Sequence, residues 1–524
     1  MRVVTHVLAL MVLGGFALGS ARSEDLVRLS SVPIASDKKP YDAALWDLDG
    51  DGLSDLVVAW GDRTGTGLRQ IAWFRRLGPG KGFPEQPTQS FDLPKDILAF
   101  AMADVNPAPG QEILLLTQGG AYALLLAADE ANRFQRLLEL DCLWQLPDDN
   151  SLPYWPRAVA DLDGDGLQDL LIPSLHGYVC AMQRRPEASE GLKELAKFEA
   201  HALPLLARLS VDKEKNGPLQ VKSTSSETSL ELNLNNAFGV STLVEVSDEV
   251  PAPFLLDADG DGRRELLVQD ETQLQWFAGG SQGPQGPAES HPSPVIVDAR
   301  RALDVSFASL LADIDGDGRL DWVLVVGDQR ASKPRTQVLV HLQKIPSSEA
   351  PERFQSTPDQ VLVLDGFAGD TRLYDLNGDG LLDFSLVALR PDLLQAIAQS
   401  SSDRYELEQY IYLNEGGQLS RRPILAEKLS FQTEESFPSM EFVRDRTGDK
   451  VADFFWRPEA GKLRLSMVNT RGERWALMSK PLWELGIDPK ARLLVDSIRG
   501  AGAMASPLQH ALVLGDKDIS VVEF

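Results

Sequence analysis

Five segments place acidic or amide side chains at positions 1, 3, 5 and 9 of a short loop: DLDGDGLSD from Asp47, DLDGDGLQD from Asp161, DADGDGRRE from Asp257, DIDGDGRLD from Asp313 and DLNGDGLLD from Asp375. Carboxylates this close repel one another unless a cation neutralises them, and the glycine at position 6 permits the sharp turn that folds them around one centre. Oxygen-only donors select a hard cation, and a large, flexible, carboxylate-rich set favours calcium over magnesium. The expected ligands of the first loop are Asp47, Asp49, Asp51 and Asp55, with the carbonyl of Leu53 at position 7. The others follow by position: Asp161, Asp163, Asp165, Leu167 and Asp169; Asp257, Asp259, Asp261, Arg263 and Glu265; Asp313, Asp315, Asp317, Arg319 and Asp321; Asp375, Asn377, Asp379, Leu381 and Asp383. About five calcium ions are therefore expected. A solvated acidic turn would not need the same spacing five times.

An EF-hand loop would carry a bidentate Glu at position 12 and be flanked by helices. Position 12 is instead Val58, Ile172, Val268, Leu324 or Leu386, each inside an apolar run. Two degenerate relatives follow the same plan. The loop at Asp104 keeps only Asp104, Asn106 and Glu112, and no metal is expected there. The loop at Asp445 keeps Asp445, Asp449 and Asp453, but Thr447 stands at position 3 and Lys450 replaces the turn glycine, which weakens it as a cation site. A faint last echo surrounds Asp496.

The elements that must position these loops recur with them. Asp47, Asp104 and Asp161 are 57 residues apart, and each unit reads apolar strand, acidic loop, apolar strand, turn, and one or two further strands. Repeated four-stranded antiparallel sheets at this period indicate an all-β propeller, whose radial packing leaves few exposed edges. Eight blades are expected, with seven as the alternative. The final unit supplies only three strands before Phe524, so Leu26 to Ile34 is expected to complete the last blade and close the ring. The longer interval after Asp161 implies an insertion at about 197–240.

The net charge of −26 argues against nucleic acid as a partner. An apolar run from Val7 to Leu18 followed by small residues reads as a signal peptide over 1–23, with the propeller over 24–524 and no later membrane span. The expected location is exported, periplasmic or extracellular, and the expected state is a monomer. Cys142 and Cys180 leave a bridge open. His6, His176, His201, His291, His341 and His510 fall in no nucleophile or metal motif, and no catalytic residue is assigned. Trp144, Tyr154, Trp155 and His176 flank the second full loop, where they either line a carbohydrate surface or fill blade cores.

The acidic loops resemble FG-GAP/VCBS repeats, found in integrin α-subunit propellers and in many exported bacterial proteins, and the resemblance covers most of the chain after the signal peptide. It implies that each loop joins two strands of a blade and holds structural calcium on one face, while ligand contacts come from the other. A noncatalytic binding, adhesion or scaffold module, with a protein or neutral glycan as ligand, is the expected function. Calcium-dependent polysaccharide lyases of the rhamnogalacturonan type, also eight-bladed, are the enzyme alternative.

Overall fold

The strand after each acidic loop is apolar along its whole length because both of its faces are covered. In Asp55–Asp62 every residue but the last is buried. Alternation then sorts the side chains: Val57 and Ala59 pack toward one neighbouring sheet, while Leu56, Val58 and Trp60 pack toward the other. A sheet apolar on both faces satisfies itself between two copies of its own kind, and a closed ring supplies both.

In a computed structural model, the described residues are 26–63, 67–140, 151–174, 177–184, 195–205, 209–212, 220–223, 230–235, 241–248, 253–269, 273–293, 305–328, 335–346, 352–389, 404–432, 440–459, 461–470, 474–495 and 509–524. They form eight four-stranded antiparallel blades. Blade 1 is Lys38–Trp46, Asp55–Asp62, Arg69–Phe74 and Gln89–Asp92, from inner to outer strand. Blade 2 is Ile97–Ala103, Glu112–Thr117, Gly120–Leu124 and Phe134–Glu139, and blade 3 is Val159–Ala160, Asp169–Ser174, Gly177–Arg184 and Lys197–Pro204. Blade 4 is Pro253–Leu256, Glu265–Gln269, Gln273–Ala278 and Gln285–Pro292; blade 5 is Val305–Ala312, Asp321–Asp328, Arg335–His341 and Gln360–Asp365. Blade 6 is Phe367–Tyr374, Asp383–Leu389, Arg404–Tyr412 and Leu425–Gln432; blade 7 is Met440–Val443, Asp453–Glu459, Lys462–Ser466 and Trp483–Gly486.

Blade 8 takes Arg492–Leu494, His510–Leu514 and Asp518–Glu523 from the C-terminus and Arg28–Pro33 from the N-terminus as its outer strand. Arg28 pairs with Glu523 and Pro33 with Asp518. The closure expected of Leu26 to Ile34 is thus made. Leu26 and Val27 pack into the cluster shared with blade 7, while Val32 and Ile34 pack into the one shared with blade 1. The core as a whole is divided among the interfaces between blades, each pair of neighbours enclosing its own buried cluster.

The insertion begins later than 197. Lys197–Pro204 pairs along its length with Gly177–Arg184 as the outer strand of blade 3. The added residues form a separate four-stranded sheet, Leu209–Asp212, Gln220–Ser223, Leu230–Asn235 and Ser241–Asp248, in which the second strand runs parallel to the fourth. The signal-peptide segment, Cys142, Trp144, His176 and Asp496 lie outside the described residues. No helix among the described residues is long and apolar enough to cross a membrane.

Candidate metal centres in the blade loops

Each acidic loop connects the inner strand of a blade to its second strand, so all of them lie on one side of the ring. The loop backbone is folded by its own first acid. In blade 1 the Gly50 N–H donates to Asp47 Oδ1 (2.8 Å) and the Gly52 N–H to Asp47 Oδ2 (2.8 Å). Asp161, Asp257, Asp313 and Asp375 accept the equivalent pair of bonds. Both glycines hold positive φ, 72° and 82° in blade 1, where a side chain would be strained.

This folding brings the acids at positions 1, 3 and 9 together. Asp47, Asp49 and Asp55; Asp161, Asp163 and Asp169; Asp257, Asp259 and Glu265; and Asp313, Asp315 and Asp321 each place three carboxylate oxygens within 4.8 Å of one another. Asp51, Asp165, Asp261 and Asp317, at position 5, are not part of these triplets; each uses Oδ1 to accept the N–H of position 7. The fifth loop has the same fold, with Asn377 at position 3 donating to Asp379 Oδ2 at 2.9 Å.

The acid at position 9 differs from the others in being buried and in tying the loop to the end of the third strand. Asp169 Oδ2 accepts from Leu162 N (2.8 Å) within the loop, and Oδ1 accepts from Gln183 N (2.7 Å) where the third strand ends. Asp55, Asp321 and Asp383 bridge loop to strand end in the same way. Burial raises Asp169 and Asp383 to about 7 and Asp321 to about 6, outweighing the backbone hydrogen bonds that favour the ionised form. Burial also raises Asp55 and Glu265.

Cationic neighbours vary from loop to loop. Arg75 forms ion pairs with Asp49 and Asp51, the latter at 3.3 Å. Arg184 approaches Asp163 at 3.5 Å. Asp257 and Asp259 have no ion-pair partner among the described residues. Three carboxylates in such proximity with no protein cation fit a bound divalent ion, since the donors are oxygen only and the charge is otherwise uncompensated.

Adjacent loops also touch. The Gln111 N–H donates to Asp47 O (3.0 Å), Leu320 N–H to Ala258 O (3.1 Å) and Ala452 N–H to Leu376 O (2.8 Å), each bond running from one blade to the loop before it. Side-chain amides at the end of the third strand reinforce this: Gln183 Nε2 donates to Asp104 O (3.1 Å) and Asn414 Nδ2 to Ile314 O (2.7 Å). The sequence reading missed both amides. Their signal is a Gln or Asn directly after the apolar third strand, as in VCAMQ and YIYLN.

Tyr154, Trp155, His291 and His341 serve packing, while half-buried His201 bonds Pro284 O through Nε2 (3.0 Å). Tyr154 is buried, accepts a hydrogen bond from Trp46 Nε1 (2.6 Å) and packs on Phe100, so it lines no surface; Trp155 packs against the cluster between blades 2 and 3. His341 Nδ1 bonds Gln355 O (2.9 Å), and His291 packs between Trp276 and Phe354. Burial lowers His291, His341 and His510, which keeps them neutral.

Residues 257–324 match the sequence profile of the FG-GAP-like repeat family. The matched span runs from the first acid of the blade 4 loop into the second strand of blade 5, and so contains two consecutive acidic loops. The FG-GAP-like match thus falls on two consecutive blades of a ring whose described residues form eight four-stranded blades. No curated protein matches the chain. Among solved structures, an Agrocybe aegerita lectin described for its specific recognition of non-reducing terminal N-acetylglucosamine is similar at 15% identity, over 95% of this chain and 99% of that one, with a TM-score of 0.37. A score that low carries no inference about fold or ligand.

Proposed function

We propose that this FG-GAP-repeat propeller is an exported, noncatalytic binding or scaffold module in which calcium stiffens one side of the ring. The observation that carries the reading is the repeated carboxylate triplet, gathered within 4.8 Å in four blades. Asp47, Asp49 and Asp55, and their counterparts through Asp383, would hold the ions, with position 5 and the carbonyl of position 7 completing each set. Arg75 would have to leave Asp49 for the first loop to fill.

The ions lie in loops cross-tied to the strands and to one another, which suits a structural role. That leaves the opposite side of the ring, where the second strand turns into the third, for partners. The net charge favours a protein or a neutral glycan over a polyanion. Incubating the calcium-loaded protein with uronic-acid polysaccharides while following the ultraviolet absorbance of unsaturated products tests the reading against a lyase. No turnover, together with capture of a partner or neutral glycan, is the expected result; calcium-dependent turnover that survives repurification would overturn it.

A further inference from the structure

Beside the closing strand lies a cavity of about 420 Å³ that the ion sites do not involve. Arg28 and Ser30 of the N-terminal strand, Lys81 and Gly82 of the segment following blade 1's third strand, Trp483 of blade 7 and Glu523 of blade 8 line it. Third strands end, and outer strands begin, on the side that carries the acidic loops, so the cavity sits on the rim at that side of the seam.

Its charge runs against that of the whole chain. Arg28 and Lys81 are exposed and have no ion-pair partner among the described residues, whereas the one acid in the lining, Glu523, is already held by Arg76. Two uncompensated cations therefore face the cavity in a protein of net charge −26. Trp483, half-buried and backed by Phe455 with ring centroids 6.5 Å apart, adds an indole to the wall. Glycine keeps the space open: a Cβ on Gly82 would lie 3.2 Å from Ser30 Oγ, and one on Gly80 3.4 Å from Arg28 Nη1.

We propose that this seam cavity binds a single acidic sugar residue, its carboxylate on Arg28 and Lys81 and its ring against Trp483. The paired cations select an anion, and charge-assisted hydrogen bonds to them outweigh neutral ones. The indole and the polar lining select a ligand with both an apolar face and hydroxyls, which a bare anion lacks. The volume suits one or two sugar units, being near the lower end of the roughly 300–1,000 Å³ of small-molecule sites. The field of the whole chain repels a long polyanion, but a short acidic end meets only the local charge. Because Arg28 and Ser30 belong to the closing strand, the bound sugar bridges the seam and stabilises it.

Calorimetric titration of the full mature chain in calcium with digalacturonic acid, with its methyl ester and with inorganic sulfate tests this. The acid should bind, the ester and sulfate should each bind at least about tenfold more weakly, and Arg28→Ala with Lys81→Ala should cost about tenfold. Trp483→Leu should weaken the acid while leaving bound calcium unchanged. Lys81→Glu, confined to an exposed segment, carries the test if Arg28→Ala disturbs the closing strand. Equal affinity for acid and ester, sulfate binding as tightly as the disaccharide, full affinity in Lys81→Glu, or no heat from the wild-type chain at millimolar disaccharide would overturn the proposal.

Discussion

The loops of blades 3 and 7 have the same length and the same backbone plan, yet only one of them gathers a carboxylate triplet. In blade 3, Gly164 N and Gly166 N donate to Asp161; in blade 7, Gly448 N and Lys450 N donate to Asp445, at 2.6 and 2.7 Å. Leu162 N and Arg446 N donate to Asp169 and Asp453 at the same 2.8 Å. Blade 7 lacks the acid at position 3, where Thr447 stands, and forces Lys450 to φ 71° in place of glycine. The position-9 acid persists even in the blade 2 loop, where Glu112 accepts from Val105 N at 3.0 Å. Positions 1, 5 and 9 therefore build the turn in both loops, Asp165 and Asp449 each accepting the N–H of position 7, and the acid at position 3 is what blade 7 lacks. Burial raises Glu112 and Asp453 to about 7, as it does Asp169, which is what a structural strut in an apolar setting shows whether or not an ion is near.

Chelation should give the largest effect. Removing calcium from the complete loops should destabilise the protein by at least several kcal/mol, since even one site saturated about a hundredfold above its dissociation constant contributes about 3 kcal/mol. Thermal melts with and without chelator measure it, and equal melting temperatures would erase the distinction between the two loop types.

Next in size is the strut itself. Asp169→Ala leaves the Leu162 and Gln183 N–H groups unpaired in a buried setting and should cost about 3 kcal/mol in chelator as well as in calcium. Asp453 Oδ1 has no hydrogen-bond partner among the described residues, so Asp453→Ala should cost about half as much, near 1.5 kcal/mol. Denaturant titration of both variants in chelator compares them. A position-9 substitution that matters only when calcium is present would show the acid to be a ligand and nothing more.

Converting the poor loop is the sharper version. Thr447→Asp with Lys450→Gly restores D-x-D-G-D-G-x-x-D in blade 7. It should add one bound ion and relieve about 1 kcal/mol of backbone strain in the metal-free protein. Metal analysis showing no additional ion would mean that spacing alone does not make the site.

The smallest effect belongs to the ties between loops. Gln183→Leu removes the bond to Asp104 O while keeping the backbone N–H bond to Asp169, and should cost about 1 kcal/mol, with calcium content unchanged.

Most of the ring was legible because its grammar repeats. The acidic spacing marked the turn, the apolar runs marked the second and third strands, and a missing strand after Asp518 pointed to Leu26–Ile34 as the closure. Outer strands were harder. Lys197–Pro204 is largely exposed; its alternation is short and built on two alanines, Ala200 and Ala202, and only Phe198 and Leu203 reach the clusters between blades, so its pattern does not distinguish it from the insertion that follows. The two hydrogen bonds that Asp169 accepts and the reach of Gln183 and Asn414 into the preceding loop depend on contacts between distant segments, which one loop's spacing does not record. Tyr154 shows the converse: an aromatic beside a loop reads equally as surface or core until its partner, Trp46, is in place.

Metal content tests most directly whether the repeated triplets are ion sites. After dialysis of the protein against buffer holding trace calcium, elemental analysis should return about five ions per chain, falling by one in Asp163→Ala with the fold retained. A content of zero or one would contradict the account.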